Sequence, residues 1–281
     1  GARLLLMNGR LSENSYRGYR RLPKLVRPML ARFDLLAVQT RAEADRFQAL
    51  GADPERIRVN GSVKFDLTLD DSLRDQAAAL RQRFAARPVW IAASTHPGED
   101  EPVLAAHRRV LERHPDALLM LVPRHPERFD EVAGLAARHG MTVARRSRGD
   151  QVDASVNLYL ADTMGELLML FGAADVAFVG GSLVPVGGHN LLEPAAWGVP
   201  VLTGPRLHNF TAIADLLDRA GALSRVTDED VLASRVGALL DDAGERRRLG
   251  EAAAAVVAAN RGALQRGVTI CSSLWPSRSG L

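Results

Sequence analysis

The stretch Asp175-Val-Ala-Phe-Val-Gly-Gly-Ser-Leu183, continued by Pro185-Val-Gly-Gly-His-Asn-Leu-Leu-Glu-Pro-Ala-Ala-Trp-Gly-Val-Pro-Val-Leu-Thr-Gly-Pro205, decides how the chain reads. A short apolar run, Val176 to Val179, ends in two glycines, and a loop carries two more, Gly187 and Gly188. The helical pattern from Asn190 to Trp197 stops at Gly198, ahead of a second apolar run. The order is strand, glycine loop, helix, strand. Glycines ahead of a helix let the backbone approach a ligand, and the unpaired N–H groups of the first turn favour an anion. Glu193 follows on that turn, where a carboxylate can accept hydrogen bonds from a vicinal diol such as a ribose. Phosphate plus ribose points to a nucleotide. The competing reading is structural: glycines for tight turns, and Glu193 as a complement to the helix dipole.

Working outward, strand and helix patterns alternate along most of the chain, which predicts parallel sheets and an α/β class. Strand-like runs lie at 4–7, 34–39 and 57–60, then at 89–93, 117–122, 142–144, 156–160, 176–179, 199–202 and 222–225. Residues 68–87 turn to Asp, Arg, Gln and Ala without a strand-like run and read as a linker leading into a helix. The expected division is therefore 1–67, a linker over 68–87, a doubly wound domain over 88–264, and a tail over 265–281. The alanine-rich helix within 245–264 could cross back to the first domain.

In an open parallel sheet, ligands sit beyond the carboxyl ends of the strands. The loops there hold Ser94-Thr95-His96-Pro-Gly-Glu99, Pro123-Arg124-His125-Pro-Glu127, Asp162-Thr163-Met164-Gly165-Glu166 and the glycine loop. Arg124 and the start of the helix at Asn190 would meet a phosphate, with Met164 and Gly165 as a floor for a flat base. Ser94 and Thr95 read equally as helix caps, His96 and His125 as structural hydrogen-bonding histidines, and Arg124 as the partner of a surface acid. His189 directly precedes the phosphate-binding helix start. Glu99 and Glu127 read as first-turn acids that complement helix dipoles.

Composition narrows the classes. The chain has 281 residues, 47% hydrophobic and 25% charged, with one cysteine, Cys271, which excludes an internal disulfide framework and a cysteine metal cluster. No apolar run approaches the ~20 residues that span a bilayer. Residues 1–32 hold Arg3, Arg10, Arg17, Arg20, Arg21, Lys24, Arg27 and Arg32 against the single acid Glu13. That block carries +7 and leaves −4 for the remainder of a chain whose total is +3. Such a block attracts an anionic lipid surface or a phosphorylated substrate, or is simply a solvated basic helix. Aromatics do not interleave with it beyond Tyr16 and Tyr19, which argues against nucleic acid.

Read together, six ordered motifs resemble the bacterial lipid A Kdo transferases: Asn8-Gly-Arg-Leu-Ser, Gly61-Ser-Val-Lys-Phe-Asp, Ser94-Thr-His-Pro-Gly-Glu, Pro123-Arg-His-Pro-Glu-Arg, Asp162-Thr-Met-Gly-Glu-Leu, and Gly180-Gly-Ser-Leu-Val-Pro-Val-Gly-Gly-His-Asn with Glu193-Pro-Ala. The resemblance covers the chain up to its closing helices. It implies a GT-B glycosyltransferase, two Rossmann-like domains facing a cleft, with the first incomplete here. The implied donor is CMP-Kdo and the acceptor a lipid A precursor at the cytoplasmic face of the bacterial inner membrane. Transfer would invert the anomeric centre in lipopolysaccharide biosynthesis. The implied donor contacts are Arg124, His125, Thr163, Met164, Gly165, Gly187, Gly188, His189, Asn190 and Glu193. Glu193 would take the ribose, the 163–166 loop the cytosine, and the N–H groups of Gly188 to Asn190 the phosphate. Ser94, Thr95 and His96 would face the sugar. No cofactor or metal is implied. Family members carry further N-terminal sequence, with a membrane-associated segment and a glutamate expected to be the general base. The resemblance therefore implies that this chain binds donor without transferring it alone. Two alternatives stay open: a UDP-sugar transferase or UDP-sugar 2-epimerase of the same fold, and a non-catalytic nucleotide-sugar-binding module.

Overall fold

A computed structural model of the chain describes residues 3–274. The described residues divide into two compact units, one formed by 3–67 with 258–274, the other by 68–257.

The first unit begins with β1 (Leu5–Gly9), α1 (Glu13–Tyr19), α2 (Pro23–Leu30), β2 (Leu35–Val38), α3 (Arg41–Ala49) and β3 (Ile57–Val59). Its three strands pair in parallel in the order β1-β2-β3. Local chemistry sets the helix starts. The Ser12 hydroxyl accepts from the N–H of Ser15, Pro23 stands in the first turn of α2, and Thr40 forms a full capping box with Glu43. Val26 and Leu30 of α2 and Phe47 of α3 pack with Leu36 and Val38 into one small core.

The second unit runs through α4 (Asp71–Arg83), β4 (Val89–Thr95), α5 (Asp100–Arg113), β5 (Leu118–Pro123), α6 (Phe129–Arg138), β6 (Val143–Arg145), β7 (Leu158–Leu160), α7 (Leu167–Phe171), β8 (Val176–Val179), α8 (Leu192–Ala196), β9 (Val201–Thr203), α9 (Thr211–Arg219), β10 (Leu223–Arg225), α10 (Glu229–Asp241) and all but the last turn of α11 (Ala243–Asn260). Its seven strands are all parallel, in the order β10-β9-β8-β4-β5-β7-β6. Every residue of β4 is buried, as a central parallel strand covered on both faces requires. Trp90 and Ala92 pack with α5, α6 and α10, while Val89, Ile91 and Ala93 pack with α4 and α7. The chain leaves β4 toward β5, β7 and β6 and returns to β8 on the other side, so β4 and β8 flank the topological switch point. Ligands bind at that position in open α/β sheets.

Two expected boundaries change. Residues 68–87 are no linker: Asp70 caps α4 through the N–H of Leu73, and Ala77 and Leu80, together with Phe84 just beyond the helix, enter the core of the second unit. Alanine is too small to show as an apolar stripe in the sequence, though it buries well. The expected domain end at 264 and tail from 265 also move. The closing helix breaks at Arg261-Gly262, and α12 (Ala263–Leu274) belongs to the first unit. The motif Gly61–Asp66 holds it there. The Asp66 carboxylate accepts from the N–H groups of Gly262 (2.5 Å) and Leu264 (2.6 Å), and Asn60 is bonded to Ala263 and Arg266. The rest of the expected tail, 275–281, lies outside the described residues. Among those described, no helix is long and apolar enough to cross a membrane.

Candidate functional site

The loops after β4, β5, β7 and β8 enclose a cavity of about 300 Å³. Eight of the residues expected to form the site line it: Ser94, Arg124, Thr163, Met164, Gly165, His189, Asn190 and Glu193. Five do not: Thr95, His96, His125, Gly187 and Gly188. The apolar walls come from Val122, Pro123, Leu167, Phe171, Val179 and Phe210. Phe210 precedes a helix far along the chain, and nothing in its local pattern marks it as a wall.

The glycine loop is built differently from the expected phosphate cradle. The carboxylate of Glu99, fully buried, accepts hydrogen bonds from the main-chain N–H groups of Gly181 (2.6 Å), Ser182 (3.0 Å), Leu183 (2.9 Å) and His96 (3.0 Å). Gly181 has a φ of +67, a left-handed conformation natural to glycine, and it turns these N–H groups into one concavity. The protein fills that concavity with its own anion, so Glu99 does more than complement the α5 dipole. The N–H groups of Gly187 (3.1 Å) and Gly188 (2.7 Å) both donate to the carbonyl of Gly181. They are spent inside the loop, and the reading of Gly188 as a phosphate donor is corrected accordingly. The N–H groups of His189 and Asn190 have no backbone acceptor among the described residues.

His189 lies flat against His96, ring centroids 5.0 Å apart, with their Nε2 atoms 2.8 Å apart, and His125 meets His96 edge-on. One nitrogen of the pair donates and the other accepts, so at most one proton sits between them. Burial pushes His189 down to about 4, helped by the electrostatic opposition of the neighbouring His96, Arg124 and His125 to a charge on it. His96 is also lowered, mainly by burial, against the opposing carboxylate of Glu99. Neither Ser94 nor Thr95 caps a helix. Ser94 adopts a φ of +58, and the carbonyl of Thr95 receives the N–H of Arg124 and the guanidinium of Arg128. Arg128 is itself paired, in the interior, with Asp100. Arg124 is exposed at the cavity and makes no ion pair among the described residues.

Glu193 accepts from the side-chain amide of Asn190 (2.9 Å), whose oxygen in turn receives the N–H of Leu192 at the start of α8. Burial raises the Glu193 carboxyl above its ordinary range, and the Asn190 bond partly opposes this. Behind the 163–165 loop, Arg146 donates from Nε (2.6 Å) and Nη2 (2.5 Å) to the two oxygens of Glu166, and the Thr163 hydroxyl donates to the same carboxylate. Arg146 hydrogen bonding holds Glu166 below the ordinary carboxyl range. Sequence reasoning missed this pair, because Arg146 lies after β6 and its partner after β7. Among the described residues, no group of three His, Cys, Asp or Glu side chains is placed to hold a metal ion.

The arrangement offers one exposed guanidinium and two main-chain N–H groups for an anion, a half-buried carboxylate for hydroxyls, and apolar walls with an exposed Met164 for a flat ring. Comparison with known proteins agrees with the fold. The family described as 3-deoxy-D-manno-octulosonic-acid transferase matches residues 1–67. The 3-deoxy-D-manno-octulosonic acid transferase of Haemophilus influenzae is 42% identical over 264 residues, 93% of this chain and 62% of that protein. The chain thus spans about three fifths of the length of that relative. The crystal structure of the C-terminal CMP-Kdo binding domain of WaaA from Acinetobacter baumannii is 37% identical with a TM-score of 0.64, covering 67% of this chain and 99% of that one. Anabaena Alr3699/HepE, solved in complex with UDP and glucose, shares 15% identity and a TM-score of 0.52 over 97% of this chain and 71% of its own, a likeness of GT-B fold alone. On its fold and on the near-complete match to the WaaA domain, the chain belongs to the 3-deoxy-D-manno-octulosonic acid transferase family.

Proposed function

We propose that the second unit binds CMP-Kdo and that the chain carries the donor half of an inverting Kdo transfer to a lipid A precursor. The observation that carries this reading is the cavity at the switch point, which gathers Arg124, Glu193 and the 163–165 loop around one volume, in a chain that matches 99% of the A. baumannii CMP-Kdo binding domain. In this reading the phosphate sits between Arg124 and the N–H groups of His189 and Asn190, and Glu193 accepts from the ribose hydroxyls. Negative charge grows on CMP as the glycosidic bond breaks. Donors already fixed in place stabilise that charge without reorganising. Protonation of His189 is unfavourable in the unliganded site, so it enters as a neutral hydrogen-bonding group.

The acceptor and the membrane surface belong to the first unit in this proposal. Tyr19, Leu22, Leu25 and Met29 are exposed on or beside α1 and α2, interspersed with Arg20, Arg21, Lys24 and Arg27. Apolar side chains beside clustered cations suit an anionic lipid surface. The chain is expected to sediment with vesicles containing anionic phospholipid and not with neutral ones; equal sedimentation with both removes this part of the proposal.

Calorimetric titration with CMP tests the donor reading. The wild type is expected to bind CMP. Glu193→Ala is expected to weaken binding by about 10- to 100-fold, the worth of hydrogen bonds to a charged acceptor. A folded chain, judged by circular dichroism, that takes up no CMP overturns the proposal.

A further inference from the structure

We propose that Arg146 sets the base selectivity of the nucleotide cavity by clamping the 163–165 loop in one shape. The inference rests on the nucleotide reading above and adds to it the residue that makes the loop a discriminating one.

The loop lines the cavity, and its residues Thr163, Met164 and Gly165 make no backbone hydrogen bond to the rest of the described chain. Its one polar side chain, Thr163, gives its hydroxyl proton to a neighbour and not to a base. The Thr163 hydroxyl donates to Glu166, and both Glu166 oxygens are taken by the Arg146 fork. Arg146 is itself fixed by the hydroxyl of Tyr159 (3.2 Å), a fully buried side chain of β7. What remains free to meet a base is the main chain.

A pyrimidine edge makes that main chain sufficient, provided it cannot turn. Cytosine presents an amino donor beside a ring-nitrogen acceptor; uracil presents a carbonyl acceptor beside a ring N–H donor. The two patterns are reversed, so a fixed peptide pair fits one and leaves unpaired groups against the other. Failure to pair a buried polar group is what gives polar sites their discrimination. A loop free to rotate its peptides would satisfy either base. Gly165, at a φ of +82, is conformationally permissive, so the restraint has to come from elsewhere.

Arg146 and its neighbour supply it. Arg145 holds the buried Asp162, at the loop's entry, through Nε at 2.6 Å, and Ser147 binds the same carboxylate through its N–H (2.8 Å) and hydroxyl (2.6 Å). Arg146 holds Glu166 at the exit. Both ends of the loop are thereby pinned to the end of β6 and the residues that follow it. The two-point contact at Glu166 needs a planar guanidinium, and a lysine ammonium provides one contact at most in that geometry.

The test is the ratio of CMP to UMP affinity, with ribose 5-phosphate as a probe that has no base. Arg146→Lys and Glu166→Gln are expected to lower the CMP preference by about tenfold while changing ribose 5-phosphate affinity by less than about twofold. The charge-reversed double variant, Arg146→Glu with Glu166→Arg, is expected to recover part of the preference. Folded single variants that keep the wild-type ratio overturn the inference. So does a fall in ribose 5-phosphate affinity equal to the fall for CMP, which marks a general loss of structure. A wild type that binds CMP and UMP equally overturns it and leaves nucleotide binding intact, whereas a wild type that binds neither defeats the functional reading first.

Discussion

Ser94 shows how much one residue can carry that its type does not reveal. A serine after a strand reads as a cap, but here it is buried, lines the cavity and has a φ of +58. For an L-residue that conformation costs about 1–2 kcal/mol, and such strain persists only where the surroundings over-determine it. The surroundings are identifiable: Arg128 and the N–H of Arg124 both hold the carbonyl of the next residue, Thr95. Ser94→Gly removes the strain, and the added freedom of glycine in the unfolded chain returns about 0.5–1 kcal/mol of it. The variant is expected to melt a few degrees higher than the wild type and to bind CMP more weakly, having lost a polar wall of the cavity. A lower melting temperature would show that the serine side chain contributes more than the turn costs. Glu193 is the contrasting case, because a carboxylate one turn into a helix after glycines is legible, and the structure puts it on the cavity wall.

At the scale of elements, the glycine loop was legible as a loop and misread as a cradle. Four glycines between a strand and a helix state that the backbone must turn tightly and approach something closely. They do not state what it approaches. Here it is the carboxylate of Glu99, more than 80 positions earlier in the chain, and no local pattern links the two. The argument predicts that Glu99→Ala leaves four N–H groups facing an empty polar hollow. Each unsatisfied buried group costs about 1–3 kcal/mol, so the variant should melt far below the wild type. Added formate, a small carboxylate, should restore part of the loss by entering the hollow, and should leave the wild-type melting temperature unchanged. No formate effect on the variant would mean that the loop relaxes and the N–H groups find other acceptors. The Arg146–Glu166 clamp was illegible for the same reason: its halves lie on two neighbouring strands' ends, and pairing across a sheet follows from topology. Strand and helix periodicity, being local, survived translation into structure almost everywhere; at α4 a helix was expected, and the small alanines hid only that it packs into the core of the second unit.

The whole molecule combines these contacts into a dependence on pH whose sign follows from the histidines. His189 is pushed down to about 4 by burial and by the opposition of the neighbouring Arg124 and histidine rings to a charge on it. His107 is likewise held at about 4 by burial, between the indole N–H of Trp90 and the carbonyl of Asn157. His96 shifts in the same direction, again chiefly through burial. Unfolding returns each to an ordinary value near 6.5, so the unfolded chain binds more protons than the folded one between those limits. Stability is therefore full above about pH 6.5 and is lost as pH falls toward about 4. The carboxylates held low by hydrogen bonds and arginines, Asp162 and Glu166, act in the same direction but only from the ordinary carboxyl range downward. Glu193, raised by burial, has the opposite sign and acts from the ordinary carboxyl range upward, against the histidines. Between about pH 6.5 and 5 three histidines thus act together against that one carboxyl. Thermal melts across it are expected to show the melting temperature dropping by about 5 °C, with His189→Asn flattening part of the slope because asparagine keeps a polar side chain that does not titrate. A flat profile over that interval would mean that these rings are protonated in the folded chain, and that the Nε2 contact between His96 and His189 opens to let both charge.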